Sequence, residues 1–182
     1  MSEGSVKQLV DADQFRRTVA RIAHEIVEAH ADPTEIMLAG IHTRGVPLAA
    51  RLVDHIERFT GTRPPLGTLD IGLYRDDVAM GALPVVGETV FPRSLSDGPV
   101  ILVDDVLYTG RTIRAAIDAL FDFGRPPMVQ LAVLVDRGHR ELPIRPDFVG
   151  RNLPTARTER VRVRLTEIDG ADEILLVTPE AQ

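Results

Sequence analysis

The segment Val100-Ile101-Leu102-Val103-Asp104-Asp105-Val106-Leu107-Tyr108-Thr109-Gly110-Arg111-Thr112 sets two adjacent carboxylates between an apolar run and a small, hydroxyl-rich turn. The apolar run reads as a buried strand, and Arg111 to Phe123 has the spacing of a helix ending at Gly124 with Pro126 and Pro127 beyond. A turn from strand to helix presents unpaired N–H groups and the positive end of the helix dipole, which together suit a phosphate. Thr109 to Thr112 would form that cradle, with Gly110 admitting close backbone approach and the threonine hydroxyls adding donors. Asp104 and Asp105 cannot share the phosphate. They could accept hydrogen bonds from a ribose diol and stabilise positive charge developing at C1′. A phosphorylated ribose fits both halves, although an acidic pair alone is equally compatible with a polar strand end and helix cap.

The elements needed to hold this segment can be traced along the chain. Asp11 and Gln14 are spaced as a capping box, and Phe15, Val19, Ile22, Ile26 and Val27 give a helix running to about His30. Ile36 to Ile41 reads as a strand entering His42-Thr43-Arg44-Gly45, and Val46 to Phe59 as a second helix. Leu69 to Tyr74 and Val129 to Val135 read as further strands, and Val161 to Leu165 with Ile174 to Val177 as a closing hairpin. Arg75 to Pro99 has no sustained period and reads as a loop or a mobile hairpin. The β-α-β alternation predicts an α/β domain with a mostly parallel sheet flanked by helices, one domain over residues 1–182. Gly40 to Gly45 has the glycine spacing of a phosphate-binding P-loop, but Val46 and Pro47 stand where lysine and a hydroxyl are required.

Composition narrows the function classes. The 182 residues are 44% hydrophobic and 26% charged, without cysteine, which excludes disulfides, thiolate metal sites and thiol nucleophiles. No uncharged apolar stretch approaches a membrane span and the N-terminus lacks a signal pattern, so the expected setting is cytoplasmic, away from membranes. The net charge of -6 argues against indiscriminate nucleic-acid binding. Between Arg137 and Arg164, however, eight arginines face only Glu141, Asp147 and Glu159, so that segment could meet an anion.

The apolar strand, acidic pair and T-G-x-T turn resemble the phosphoribosyl pyrophosphate signature of type I phosphoribosyltransferases. Arg21-Ile22-Ala23-His24-Glu25, Leu73-Tyr74-Arg75-Asp76-Asp77, the segment Val103 to Thr112, and LAVLVDRGHRELPIRP from Leu131 to Pro146 narrow the resemblance. Together they are similar to the pyrimidine operon attenuation regulators with uracil phosphoribosyltransferase activity. The resemblance implies the type I fold with a flexible hood loop over about 72–99, and two activities. One is conversion of uracil and phosphoribosyl pyrophosphate (PRPP) to UMP and diphosphate. The other is UMP-responsive binding of a hairpin in pyrimidine operon leader mRNA, with UTP as a further effector.

Carried over by position, the resemblance assigns ribose binding to Asp104 and Asp105. It assigns phosphate binding to Thr109, Gly110, Arg111 and Thr112, within a turn that includes Val106, Leu107 and Tyr108. Diphosphate falls to Thr43 and Arg44, the border of uracil to Val135, Asp136 and Arg137, and charge neutralisation from the hood to Arg75. Asp104, Asp105 and Arg75 form the implied catalytic set, with Mg²⁺ carried by the substrate rather than held by the protein. RNA binding falls to Arg21, His24, Arg140, Arg145 and Arg151, and the assembly to a homodimer or homotetramer. Ala20 stands where the family commonly has threonine, Gly72 replaces another, and Arg151 replaces a lysine. Two alternatives stay open: a plain pyrimidine-salvage enzyme without RNA binding, and a nucleotide-sensing regulator with negligible catalysis.

Overall fold

The computed structural model describes residues 4–75 and 87–179. Its central sheet has five parallel strands, ordered β3-β2-β4-β5-β6, with β2 at Met37–Ile41, β3 at Leu66–Leu69, β4 at Val100–Leu107, β5 at Val129–Asp136 and β6 at Phe148–Asn152. Helices α1 (Ala12–Ala29) and α2 (Gly45–Thr60) cover one face, where Phe15, Ile22, Ile26, Leu48, Leu52 and Ile56 pack on Ile101, Val103 and Leu134. Helix α3 (Arg111–Phe121) covers the other, with Ile113, Ala116 and Leu120 against Leu102, Leu131 and Val133. A sheet buried on both faces reads as continuous apolar runs, and β2 is buried at every position.

The expected capping box starts α1: Asp11 accepts from the Gln14 N–H while the Gln14 side chain accepts from the Asp11 N–H. Such a cap contributes about 1 kcal/mol. The expected hairpin is present as β7 (Arg160–Arg164) and β8 (Glu173–Val177), joined through α4 (Thr166–Asp169) and extended by β1 (Val6–Val10) into a three-stranded antiparallel sheet. Arg51 of α2 fastens this smaller sheet by bonding both Glu167 and Asp172.

Three expectations are corrected. The third strand is Leu66–Leu69 rather than Leu69–Tyr74, because the Asp70 carboxylate accepts from the Gly72 N–H and turns the chain out of the sheet. Strand β4 does not stop at Val103 but carries Asp104 and Asp105 within it, paired along β5 as far as Leu107. Helix α3 stops at Phe121, short of Phe123. Of the hood, residues 76–86 lie outside the described residues, including Asp76 and Asp77. Its returning limb pairs Val90 with Thr68 at the edge of β3.

Candidate active site

Because the sheet is parallel, the C-terminal ends of β2, β3, β4 and β5 all reach one edge, the usual place for ligands in an open α/β sheet. From that edge rise His42-Thr43-Arg44 after β2, Asp70 to Arg75 after β3, Asp104 to Gly110 at the end of β4, and Asp136-Arg137 at the end of β5. Arg75 and the turn Val106 to Ile113 line a cavity of about 310 Å³. The sequence-derived phosphate cradle and the hood arginine therefore share one concave site.

Gly110 caps α3 at φ 94°, a left-handed conformation that L side chains resist, with Leu142 and Ile144 packed beside it. The Thr109 hydroxyl accepts from the Arg111 N–H, which shapes the turn. Asp104 is buried and Asp105 is half-buried. Burial pushes the Asp104 carboxyl well above the ordinary carboxylate range, the negative Asp105 adds to the rise, and the Arg75 guanidinium works against it. Asp104 accepts from the Asp105 N–H and Asp105 from the Val106 N–H, both at 2.9 Å. Asp105 is thus the carboxylate of the pair with access to a ligand.

The turn after β2 is pressed against this strand end. A Cβ on Gly45 would overlap the Val103 carbonyl oxygen, and one on Gly40 would overlap the Gly45 carbonyl. The glycine spacing that mimics a P-loop therefore serves backbone-to-backbone packing, a role that close inspection of a failed motif could suggest. His42 and Thr43 are joined by a cis peptide bond. Thr43 is exposed at the edge, whereas the Arg44 guanidinium turns to Asp169 at 2.8 Å, so the loop offers its backbone and Thr43 before its arginine. Val135 is buried beneath the β5 end. The Arg137 guanidinium is buried too, stacked 4.0 Å above the Tyr108 ring and bonded to Thr155 and the Ala156 carbonyl. Its backbone N–H bonds the Leu107 carbonyl.

The five candidate RNA residues do not converge. Arg21 and Arg151 line an open cleft of about 460 Å³ between α1 and β6, together with Arg17, whose position one turn before Arg21 was a signal the sequence reading missed. Arg21 also bonds the Val149 and Gly150 carbonyls and Glu25. His24, one turn further along α1, is exposed and stacks on Phe59 with ring centroids 3.6 Å apart. Arg145 is exposed in the loop before β6. Arg140 is turned inward against the turn after β4, and Arg164 pairs with Glu173, so the arginine-rich segment is not one surface. Among the described residues no cluster of three or more metal-ligating side chains occurs, and no helix is long and apolar enough to cross a membrane.

Known proteins match this architecture. The phosphoribosyl transferase domain family matches residues 5–164. The bifunctional protein PyrR of Chloroflexus aurantiacus is 55% identical over 98% of each chain. That of Thermus thermophilus is 56% identical over 93% of this chain and 94% of its own. Among solved structures, the hypoxanthine phosphoribosyltransferase of Trypanosoma cruzi superposes with a TM-score of 0.70 at 18% identity, covering 96% of this chain and 97% of that one. That likeness extends to the fold alone. The chain belongs to the phosphoribosyl transferase family and, within it, to the bifunctional PyrR proteins.

Proposed function

We propose that the protein is a regulator of pyrimidine operon transcription attenuation that also converts uracil and PRPP to UMP and diphosphate. The observation that carries the enzymatic half is the cavity enclosed by Arg75 and the Val106 to Ile113 turn, beside the Asp104-Asp105 pair. The 5′-phosphate of PRPP sits on the N-terminus of α3, its ribose hydroxyls on Asp105 with Asp104 buried beside it, and its diphosphate toward Thr43, the backbone around Arg44, and Arg75. Uracil lies at the end of β5 against Val135, Asp136 and Arg137. Its N1 forms the bond to C1′ while the bond from C1′ to the diphosphate oxygen breaks, with inversion and loss of the N1 proton. Positive charge developing at the ribose faces Asp105, which is also the nearest group able to accept a proton.

The donor set fits a hard cation bound with substrate, since Asp105 offers carboxylate oxygens beside the ribose. Mg²⁺ bound there would neutralise the leaving diphosphate. Regulation rests on the cleft of Arg17, Arg21 and Arg151 with His24 beside it, where guanidinium groups meet phosphates or stack on splayed bases of an RNA hairpin loop. UMP and UTP act as effectors through the same nucleotide site. These partners occur in the cytoplasm, where we place the protein. Self-association as a homodimer or homotetramer has support in the exposed Phe121, Phe123 and Met128.

The enzymatic half is tested by incubating the protein with PRPP, Mg²⁺ and either uracil or hypoxanthine, and following diphosphate release. Release with uracil alone is expected. Release with hypoxanthine alone would contradict the assignment of the base.

A further inference from the structure

We infer that Arg140 is a positioning residue of the nucleotide site, holding the phosphate loop and the base-side end of β5 in fixed register. Its guanidinium makes three bonds to three different segments. Nη1 donates to the Tyr108 carbonyl at 2.8 Å, Nη2 to the Asp136 carboxylate at 2.5 Å, and Nε to the Ile144 carbonyl at 2.9 Å. Tyr108 belongs to the turn that cradles phosphate, and Asp136 ends the strand that borders the base. A planar fork with fixed donor directions can span such a set, which a flexible ammonium cannot.

The surrounding contacts repeat the arrangement. The Glu141 and Leu142 N–H groups both donate to the Thr109 carbonyl, at 2.9 and 3.2 Å. The Glu141 carboxylate accepts from Arg111 at 2.8 Å. Arg137 covers one face of the Tyr108 ring and His139 meets it edge-on. Residues 137–144 thus form a strap fastened along 107–111, with Arg140 bridging from the strap to the strand end. The paired Asp136 carboxylate also accepts from the Gly138 N–H, which sets the first bend of the strap. With each of its three nitrogens bonded inside the protein, this guanidinium is held in place by the site itself, whatever its remaining N–H groups meet. The strap ends next to exposed Arg145, so loosening it would also disturb RNA binding, but indirectly.

This inference rests on the nucleotide reading of the site, and it is tested first with the 182-residue chain in the absence of RNA. UMP is titrated calorimetrically into wild type, Arg140→Ala and Arg140→Lys at a temperature where circular dichroism shows each fully folded. Alanine should weaken UMP binding roughly 10- to 100-fold, the scale set by losing charge-assisted bonds, with lysine in between. The KM for PRPP should rise by a similar factor while kcat moves less. If Arg140→Ala binds UMP like wild type, the inference is overturned. Should that variant not fold, a lysine variant with wild-type affinity overturns it equally. Wild-type protein that takes up no UMP would overturn the nucleotide reading and the inference with it. In a parallel hairpin titration, Arg140→Ala should leave the slope of log affinity against log salt unchanged, whereas loss of a direct phosphate contact would reduce it by about one.

Discussion

Replacing Asp105 with asparagine is expected to reduce UMP formation on the order of 10²- to 10³-fold while leaving the fold intact. The reason lies in how the two carboxylates divide their environments. Asp104 is buried beneath the turn, and burial with the adjacent negative charge holds its carboxyl well above the ordinary carboxylate range. Asp105 is half-buried, stands next to Val106 at the cavity wall, and is fixed by the Val106 N–H. Asparagine is nearly the same shape, and its amide oxygen can still accept that bond. What it lacks is the negative charge facing C1′ as the diphosphate departs. The loss should fall on kcat, because the interaction grows only as charge develops. Single-turnover measurement of UMP formation reads this directly, and a variant with wild-type turnover would remove Asp105 from the chemistry.

Gly45→Ala should be strongly destabilising and damage the site at the same time. The added Cβ would overlap the Val103 carbonyl oxygen and crowd the Asp104 Cα at 3.4 Å. Both are backbone atoms of the central strand, which pairs on each side with β2 and β5 and has no room to yield. Overpacking against a rigid partner costs about 3 kcal/mol or more. For a chain of this length that corresponds to a fall in Tm of roughly 6 to 12 °C. The same displacement would separate the loop after β2 from the acidic pair, so PRPP binding should weaken with it. Thermal unfolding of Gly45→Ala beside Gly61→Ala makes the comparison internal, since a Cβ at Gly61 meets nothing within 4 Å and only the positive φ opposes it.

These two positions also mark how far the sequence could be read. The acidic pair, the hydroxyl-rich turn and the helix after it are local in the chain, and they stand in the structure as their spacing implied, apart from the extra length of β4 and the earlier end of α3 at Phe121. Gly45 is different: its requirement comes from a strand more than fifty residues away, which no local pattern records. Strands β1 and β6 were missed for a related reason. β1 is an edge strand whose burial pattern is mostly exposed, and β6 has a glycine at its centre where the Leu134 carbonyl and Thr18 approach. Charge was the least legible feature. Counting arginines between 137 and 164 suggested one anion-binding surface. Folding sends Arg137 and Arg140 into the nucleotide side, pairs Arg164 with Glu173, and leaves Arg151 beside Arg17 and Arg21 of a distant helix.

The central claim, that nucleotide occupancy and RNA binding reside in one chain, is tested most directly by titrating a pyrimidine-leader hairpin against the protein over a range of salt. The titration is run with and without UMP, beside a scrambled hairpin of equal length and charge. Preferential binding of the leader hairpin, strengthened by UMP and falling steeply with salt, is the predicted result. Equal affinity for both hairpins, with no response to UMP, would contradict the regulatory half and leave a phosphoribosyltransferase whose Arg17, Arg21 and Arg151 cleft serves another purpose.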